Sequence, residues 1–377
     1  MVYRDFNGKQ VSLLGYGCMR LPTEDAPNGK KKPIQSVANE LLTAAVEGGV
    51  TYFDTAYPYT DGNNEAAVAE ALKDVREKVT IATKLPIFMV KEAADMERFL
   101  DEQLKRLNTE KIDVYLIHGL GLKRLDLFLE LGGREFLDKA QADGKIGMAG
   151  FSCHDGVDGF KKTLDCYNWG MTQVQYNIMD KFNQASIEGV RYAGKKQVPV
   201  VIMEGLRGGD LANAPKAVKE IYDGSGRDWS APEWGFRFVA NEAEIKCILS
   251  GMTSMDMLND NLRIFSGITA PGTFTESDHA TCDAVRAMYE KLIQVPCTGC
   301  SYCQPCPQNI RIPSIMTQFN RVTMFDAAES AKKSYLNIVK EDRGADRCVR
   351  CGLCESKCPQ DIRIMDELAK IHSYFTE

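Results

Sequence analysis

Eight of the 13 cysteines in this chain lie in two short runs near its C-terminal end. The first run, CTGCSYCQPCP, has a cysteine at every third position, and the second, CVRCGLCESKCP, has one extra residue before its last cysteine. Thiolates at this spacing bind soft metal centres. The predicted metal ligands are Cys297, Cys300, Cys303, Cys306, Cys348, Cys351, Cys354 and Cys358.

The spacing within the runs favours iron–sulfur clusters over zinc, although a double zinc site with four thiolates per ion is the alternative. Three thiolates on one loop match three corners of a [4Fe-4S] cubane, and a fourth cysteine followed by proline commonly binds the other of two clusters. We therefore predict two [4Fe-4S] clusters. Their ligands would be Cys348, Cys351 and Cys354 with Cys306, and Cys297, Cys300 and Cys303 with Cys358.

A second group of reactive side chains lies at the ends of apolar runs in the first third of the chain. It consists of Asp54 in YFDTAYPY, Tyr59 just after it, Lys84 in TIATKLP and His118 in YLIHGL. A phenol has a pKa of about 10 and donates its proton poorly near neutrality. We expect Lys84 to lower that pKa and Asp54 to hold the ammonium group in place. His118 could hydrogen-bond the substrate carbonyl oxygen that receives the proton from Tyr59. Such a donor suits aldehyde or ketone reduction, because hydride addition leaves negative charge on oxygen.

The elements that must position these residues alternate along the chain. Eight apolar runs are separated by stretches with helical spacing, which indicates a parallel sheet covered by helices. The runs are LLGYGCM, TYFDTAY, VTIATKL, IDVYLIHGL, IGMAGFSC, MTQVQYNIM, VPVVIMEGL and CILSGM. Eight repeats in about 255 residues fit a closed (β/α)₈ TIM barrel, whose strand ends meet at one mouth.

The hydrophobic periodicity stops at SGITAPGTFT, residues 266–275, where turn-forming residues collect. We predict that residues 1–270 form the barrel and residues 271–377 a second domain. The sequence between the cysteine runs has mostly helical spacing, so the second domain should be mainly α-helical. The predicted fold class is thus α/β, a TIM barrel with a C-terminal helical domain.

The barrel sequence resembles the aldo/keto reductase superfamily. The motifs FDTAYPY, ATKLP, YLIH, GKIGMAGFS, VQYN and ILSGM occur in this order over about residues 10–265. The resemblance implies hydride transfer between NAD(P)H and a small carbonyl or alcohol substrate, with Tyr59 as general acid/base. It also implies that Ser152 and Gln175 contact the nicotinamide carboxamide, and that Asn261 contacts the adenosine. The cysteine runs resemble ferredoxin motifs, and their helical insert is similar to the α-helical ferredoxin type.

Three positions depart from the family pattern. Cys153 replaces an asparagine, and Met203 replaces the aromatic residue that commonly stacks on the nicotinamide, giving a softer apolar contact. The segment SGMTSMDMLNDN has no lysine or arginine for the 2′-phosphate of NADP, and only Arg263 is nearby. Because a phosphate without a cationic partner binds poorly, NAD is favoured over NADP, and a flavin is a further alternative.

Bulk properties exclude several classes of protein. The 377 residues carry a net charge of −6 with acidic and basic residues well mixed, which argues against a nucleic-acid partner. The first residues, MVYRDFNGKQ, have no apolar core of signal-peptide length, and no long apolar run is present. We therefore expect a cytoplasmic protein without a membrane partner.

The two predicted centres handle electrons differently, because hydride carries two electrons and clusters pass one at a time. We therefore distinguish three functions. The first is an NAD(P)-dependent carbonyl reductase whose clusters are structural or exchange electrons with a partner. The second is a reductase in which ferredoxin or another carrier feeds the clusters, which reduce a flavin or a substrate in the barrel. The third is a docking module with an inactive barrel, which the intact group of four residues disfavours.

Overall fold

The computed structural model describes residues 1–27 and 29–377. Within these residues the strands are β1 (Tyr3–Phe6), β2 (Lys9–Ser12), β3 (Leu14–Gly17), β4 (Thr23–Asp25), β5 (Lys31–Pro33), β6 (Tyr52–Asp54), β7 (Thr80–Leu85), β8 (Ile112–Ile117), β9 (Ile146–Cys153), β10 (Met171–Gln175), β11 (Val200–Met203) and β12 (Ile245–Ser250). The α-helices are α1 (Gln35–Glu47), α2 (Asn64–Leu72), α3 (Ala93–Arg106), α4 (Leu122–Glu130), α5 (Gly133–Ala142), α6 (Val157–Asp165), α7 (Ser186–Lys195), α8 (Lys216–Asp223), α9 (Ala231–Ala240), α10 (Met255–Ser266), α11 (Glu276–Lys291), α12 (Ile312–Met324), α13 (Ala328–Lys340) and α14 (Ile364–Thr376).

Eight parallel strands close into a barrel in the order β3, β6, β7, β8, β9, β10, β11, β12, with β12 pairing back to β3. Each of the eight apolar runs in the sequence supplies one of these strands, so the predicted TIM barrel is confirmed. Every residue of β7 is buried, as expected of a strand that packs against the barrel interior on one face and helices on the other.

A β-hairpin closes the amino-terminal end of the barrel. The strands β1 and β2 pair antiparallel around Asn7 and Gly8, whose φ angles of 53° and 84° suit a tight two-residue turn. Phe6 and Val11 from this hairpin are buried in one apolar cluster with Tyr52 and other barrel residues. Because apolar side chains fill this end, the polar site must lie at the opposite mouth.

Packing divides the described chain into two compact units. The first comprises Met1–Gly208 and Glu233–Phe274, and the second comprises Gly209–Pro232 and Thr275–Glu377. The sequence put the only boundary at residue 270 and gave no sign that residues 209–232, which lie between barrel strands along the chain, pack with the C-terminal unit. None of the described helices is long and apolar enough to cross a membrane.

The second unit is helical, as predicted. Its core is formed mainly by α12, α13 and α14 and includes Ile315, Phe319, Tyr335, Leu368 and Phe375, each at most 2% exposed. Six cysteines of the two runs pack against this core, while Cys300 and Cys351 are exposed. The core of the unit therefore extends directly to the thiols.

Candidate active site and cysteine-lined cavities

Four predicted residues come together at the carboxyl ends of three adjacent strands. Asp54 ends β6, Lys84 is the penultimate residue of β7, and His118 directly follows β8. Tyr59 begins a short 3₁₀ helix, Tyr59–Gly62, in the loop after β6. Since β6, β7 and β8 are neighbours in the barrel, the parallel strands bring these side chains to one side of the mouth.

Lys84 is the centre of this group. Its Nζ donates hydrogen bonds to Asp54 Oδ1 at 2.7 Å, to the carbonyl oxygen of Thr55 at 2.8 Å and to Tyr59 Oη at 3.3 Å. The side chains of Lys84 and Asp54 are 1% and 4% exposed. Each donor of the ammonium group thus has a protein acceptor, and the buried charge is paired.

Asn64, which the sequence analysis did not single out, fixes the loop that carries Tyr59. Its Nδ2 donates to the carbonyl oxygen of Cys18 at 2.9 Å and to Thr60 Oγ1 at 3.2 Å, and its Oδ1 accepts from Thr55 Oγ1 at 2.7 Å. Asn64 is fully buried. An isolated asparagine at a helix start usually signals a cap, so only the folded loop identifies this positioning role.

Burial has a larger effect on the pKa values of Tyr59 and Lys84 than the charge pattern of the sequence indicates. Burial raises the pKa of the Tyr59 phenol above its ordinary value, and the opposing effect of Lys84 does not reverse this. The expectation of a phenol with a lowered pKa is therefore wrong for the free protein, because desolvation disfavours the phenolate. Burial also lowers the pKa of the Lys84 ammonium, but Asp54 and Tyr59 together outweigh it and the net direction is upward.

His118 faces Tyr59 as a neutral imidazole. The two ring centroids are 6.1 Å apart, with the planes nearly perpendicular at 86°, and Phe88 lies 5.6 Å away on another side. Burial, assisted by Lys84, lowers the pKa of His118 to about 3. Its Nδ1 is buried and has no partner among the described residues. His118 therefore has hydrogen-bonding capacity left for a ligand.

Of the residues that the resemblance assigned to the nicotinamide, Ser152 accepts a hydrogen bond from the backbone of Gly119 at 2.9 Å. Gln175 is occupied at both ends: its Nε2 donates to Asp180 at 2.6 Å and its Oε1 accepts from Gln184 at 2.8 Å. These partners leave the Gln175 amide little capacity for a ligand.

Gln173, two residues earlier on β10, is placed differently. It pairs in register with Ser152 on β9, so the two side chains share the interior face of the barrel. It is 2% exposed, and its Oε1 has no partner within the described chain. The alternation of strand side chains puts Gln173 and Gln175 on one face, and only the partners of Gln175 distinguish them.

The remaining predicted cofactor residues lie at the end of β11 and on α10. Met203 ends β11 in register with Gln175, and its sulfur lies 3.9 Å from Gln173 Nε2. Asn261 on α10 is buried and donates to Ser250 Oγ at 2.7 Å. Arg263 bonds Asp260 at 2.9 Å and Glu233 at 3.1 Å, so its guanidinium is paired with carboxylates.

The eight cysteines line two cavities in the second unit. One cavity is bordered by Cys306, Cys348, Cys351 and Cys354, with Cys303 also at its wall. The other cavity is bordered by Cys297, Cys300, Cys303 and Cys358. Cys303 and Ile312 border both cavities, and the other seven cysteines each border one of them.

The thiols lie around open space rather than around one point. No three described His, Cys, Asp or Glu residues form a group that could hold a single metal ion. Burial raises the pKa of Cys303 to about 11 and also raises that of Cys297. A cluster binds each thiolate at a separate iron, so cysteines spread around a cavity fit it better than they fit one zinc ion.

Comparison with known proteins finds two family matches along the chain. The model of the aldo/keto reductase family matches residues 13–287, and that of a 4Fe-4S dicluster domain matches residues 296–362. The uncharacterized oxidoreductase YqkF of Bacillus subtilis is 23% identical over 289 residues, which are 67% of this chain and 87% of that protein.

Solved structures share the barrel. The holo form of aldo-keto reductase AKR11C1 from Bacillus halodurans has a TM-score of 0.63 and 22% identity, covering 76% of this chain and 96% of that one. An aldo-keto reductase from Klebsiella pneumoniae in complex with NADPH has a TM-score of 0.61 and 20% identity, with coverages of 76% and 96%. These structures agree with the closed barrel described above. Because the family model matches most of the chain, the protein belongs to the aldo/keto reductase family of oxidoreductases and carries a C-terminal 4Fe-4S dicluster domain.

Proposed function

We propose that this protein reduces small aldehydes or ketones, or oxidises the corresponding alcohols, with a nicotinamide cofactor and with Tyr59 as general acid/base. One observation carries the proposal: Lys84 Nζ lies 3.3 Å from Tyr59 Oη and 2.7 Å from Asp54 at the barrel mouth. An ammonium group in contact with a phenol is the arrangement that proton donation from tyrosine needs. The buried Asp54 fixes the ammonium group in that contact.

Reduced nicotinamide, when bound, supplies the hydride to the carbonyl carbon. Tyr59 Oη gives its proton to the carbonyl oxygen as negative charge develops there. Its raised pKa keeps the phenol protonated at neutral pH, and the Lys84 ammonium stabilises the phenolate after the proton has left. The neutral His118 orients the carbonyl by a hydrogen bond.

The barrel offers a cradle for a nicotinamide. Ser152 and Gln173 lie side by side on β9 and β10, and the orphaned Oε1 of Gln173 can accept from a carboxamide NH₂. We assign the carboxamide to Ser152 and Gln173, with Gln175 as a supporting residue, since the partners of Gln175 already occupy its amide. Met203 would contact the ring, and Asn261 would contact the adenosine.

NAD is the preferred cofactor in this proposal. The segment before α10 and its first turn, TSMDM, contains Asp256 and no cation, and the paired Arg263 would have to leave Asp260 and Glu233 to bind a phosphate. A 2′-phosphate there would lack a charge-assisted partner. The related Klebsiella pneumoniae enzyme binds NADPH, so the comparison of the two nicotinamides is part of the test.

We further propose that the eight cysteines hold two [4Fe-4S] clusters, divided as the two cavities divide them. Such clusters carry single electrons. A second candidate function follows: ferredoxin or another carrier reduces the clusters, which feed a flavin or a substrate in the barrel. Met203, which replaces a stacking aromatic with a flexible side chain, favours this candidate. Flavin released by heating the protein would support it.

The test of the main proposal is Tyr59→Phe, which keeps the ring and removes the proton. We expect kcat for NADH-dependent carbonyl reduction to fall by about 100-fold to 10,000-fold, the range of general acid catalysis, with little change in NADH affinity. Steady-state kinetics with NADH and with NADPH, on anaerobically purified protein, measure this effect.

Tyr57→Phe is the matched control, because Tyr57 lies in the same loop but bonds Glu102 rather than Lys84. It should retain turnover. Both variants should keep the absorption of the clusters near 400 nm. If Tyr59→Phe turns over like the native protein, Tyr59 is not the proton donor and the proposal is wrong.

A further inference from the structure

The loops after β7 and β8 carry two side chains near His118 that take no part in the proton transfer. Phe88 lies in the 3₁₀ helix Ile87–Met89, directly after β7, and Arg124 lies in the first turn of α4, after β8. The centroid of the Phe88 ring is 5.6 Å from that of His118 and 5.7 Å from the guanidinium carbon of Arg124. Phe88 is therefore the common neighbour of the imidazole and the guanidinium, and all three residues belong to the first unit.

Arg124 has hydrogen-bond donors left for a ligand. Its Nη1 donates to the carbonyl oxygen of Gly119, the residue after His118, at 3.0 Å, and its guanidinium makes no other hydrogen bond within the described residues. Arg98 and Arg106 on α3 pair with carboxylates at 2.7 and 3.3 Å, whereas Arg124 pairs with no acidic side chain that the structure describes. Because a guanidinium has five N–H donors, most of the capacity of Arg124 is available to an anion.

The positive charge of Arg124 is close enough to act on the imidazole. Burial has the largest effect on the pKa of His118, which it lowers to about 3, and the charges of Lys84 and Arg124 act in the same direction. The guanidinium and the group of four residues around Lys84 thus belong to one electrostatic site. An anion bound at Arg124 would lie beside the reacting carbonyl rather than at a separate site.

Apolar side chains are exposed in the same two loops. Phe88 and Met89 are 47% and 43% exposed, although Ile87 of the same 3₁₀ helix is buried. Leu122, at the start of α4, is 44% exposed. Exposed apolar side chains next to a polar centre are a feature of ligand-binding grooves. One cation beside such a surface selects a ligand with an apolar body and a negative charge.

We propose that the substrate is an anionic carbonyl compound, in which an aromatic or similarly flat apolar body lies against Phe88 and a carboxylate binds Arg124. Its carbonyl oxygen would lie at Tyr59 and His118, about one ring away from the carboxylate. The reaction is the one described above: the carbonyl carbon accepts hydride from the reduced nicotinamide, the oxygen accepts the Tyr59 proton, and the carboxylate is unchanged. This inference rests on the proposed function, which it extends to a substrate class.

The experiment compares two aldehydes that differ in charge, para-carboxybenzaldehyde and its methyl ester. Both have the same ring and the same reactive group. The value of kcat/KM is measured for each aldehyde with saturating NADH and with saturating NADPH, on anaerobically purified full-length protein. We expect the native protein to prefer the carboxylate over the ester by at least about tenfold, because a carboxylate forms charge-assisted bonds with arginine and an ester does not.

Arg124→Gln should lower the ratio of the two kcat/KM values, carboxylate over ester, by about tenfold to 100-fold. Arg124→Lys keeps the charge but loses the planar fork, so it should retain part of the preference. Lys123→Gln is the matched control, because it removes an exposed positive charge from the adjacent position on α4, and it should keep the native ratio. The ratio separates recognition of the carboxylate from any effect of a variant on folding, which changes both values alike.

A ratio near one in the native protein, or an unchanged ratio in Arg124→Gln, would overturn the inference. An equal fall in Lys123→Gln would do the same, because the preference would then come from general electrostatic attraction. If neither aldehyde is reduced with either nicotinamide, the proposed function fails, and calorimetry decides the assignment of Arg124. Para-carboxybenzaldehyde should bind the native protein at least about tenfold more tightly than it binds Arg124→Gln, and equal affinities would overturn the assignment.

Discussion

The barrel mouth and the cysteine-lined cavities differ in what surrounds their reactive atoms. At the mouth, each hydrogen-bond donor of Lys84 has a protein acceptor, and the loop of Tyr59 is held by a fully buried asparagine. In the second unit, six of the eight sulfurs pack against an apolar core, and all eight border one or both of two cavities. The first centre is organised by the chain itself, and the second is built around space for an inorganic group.

This difference has consequences for stability and protonation. A buried ion pair such as Lys84 with Asp54 is costly to break at one partner, because the other is left charged and desolvated. Thiols with raised pKa values, such as Cys303, must lose their protons before they bind iron, so cluster assembly should release protons and contribute to folding. The barrel should therefore respond to changes in its own side chains, and the second unit to the presence of iron.

The largest effect should come from Lys84→Met, which keeps the side-chain volume and removes the charge. We expect the free energy of unfolding of the barrel to fall by about 3–5 kcal/mol, since Asp54 loses its buried partner. Turnover should fall at least about 100-fold, because the phenolate of Tyr59 is no longer stabilised. Urea titration followed by tryptophan fluorescence measures stability, as Trp169 and Trp234 are buried in the barrel unit.

The double variant Lys84→Met with Asp54→Asn separates stability from catalysis. Removing both charges should restore most of the lost free energy of unfolding while turnover stays low. If the single variant is as stable as the native protein, the mouth is not organised by this ion pair, and the contrast with the cysteine cavities disappears.

Cys351→Ser should have a smaller effect than Lys84→Met, and the effect should be on iron content rather than on the packing of the protein. Cys351 is exposed, so the substitution should leave the packing of the apolar core intact and remove one proposed ligand of the cluster near Cys306. Iron per chain should fall to about half, because one of two clusters is lost. Cys166→Ser in the barrel unit is the control and should keep full iron content, as Cys166 lies far along the chain from both runs. Equal iron in the two variants would contradict the assignment of Cys351.

These expectations depend on features that the sequence predicts unequally. The eight strands follow from apolar runs alternating with helical spacing, and the closed topology then brings Asp54, Lys84 and His118 together without any side-chain calculation. The helical character of the second unit follows in the same way from periodicity. The local sequence pattern was therefore sufficient to predict which residues come together wherever the order of strands in the barrel determines it.

Three features needed the structure because they depend on partners distant in the chain. The packing of residues 209–232 with α12 depends on Asp210 meeting Arg321, and an amphipathic pattern does not identify its partner helix. The distinction between Gln173 and Gln175 depends on Asp180 and Gln184. The direction of the pKa shift of Tyr59 depends on burial, whereas the sequence reveals only the nearby charge.

The smallest expected effect is the pH dependence of turnover. It tests whether the protonation states of His118 and Tyr59 are fixed before a ligand binds. Burial lowers the pKa of His118 to about 3, so the imidazole gains no charge as pH falls from 8.5 to 5.5. Burial raises the pKa of Tyr59, so the phenol loses no proton as pH rises over the same range. With neither group changing charge, kcat/KM for carbonyl reduction should vary by less than about twofold. An acid limb near pH 6.5 that disappears in His118→Asn would indicate that His118 is solvated like an ordinary histidine. The side chains at the barrel mouth would then need a bound ligand to become ordered, as we expect the cysteines around the cavities to need iron.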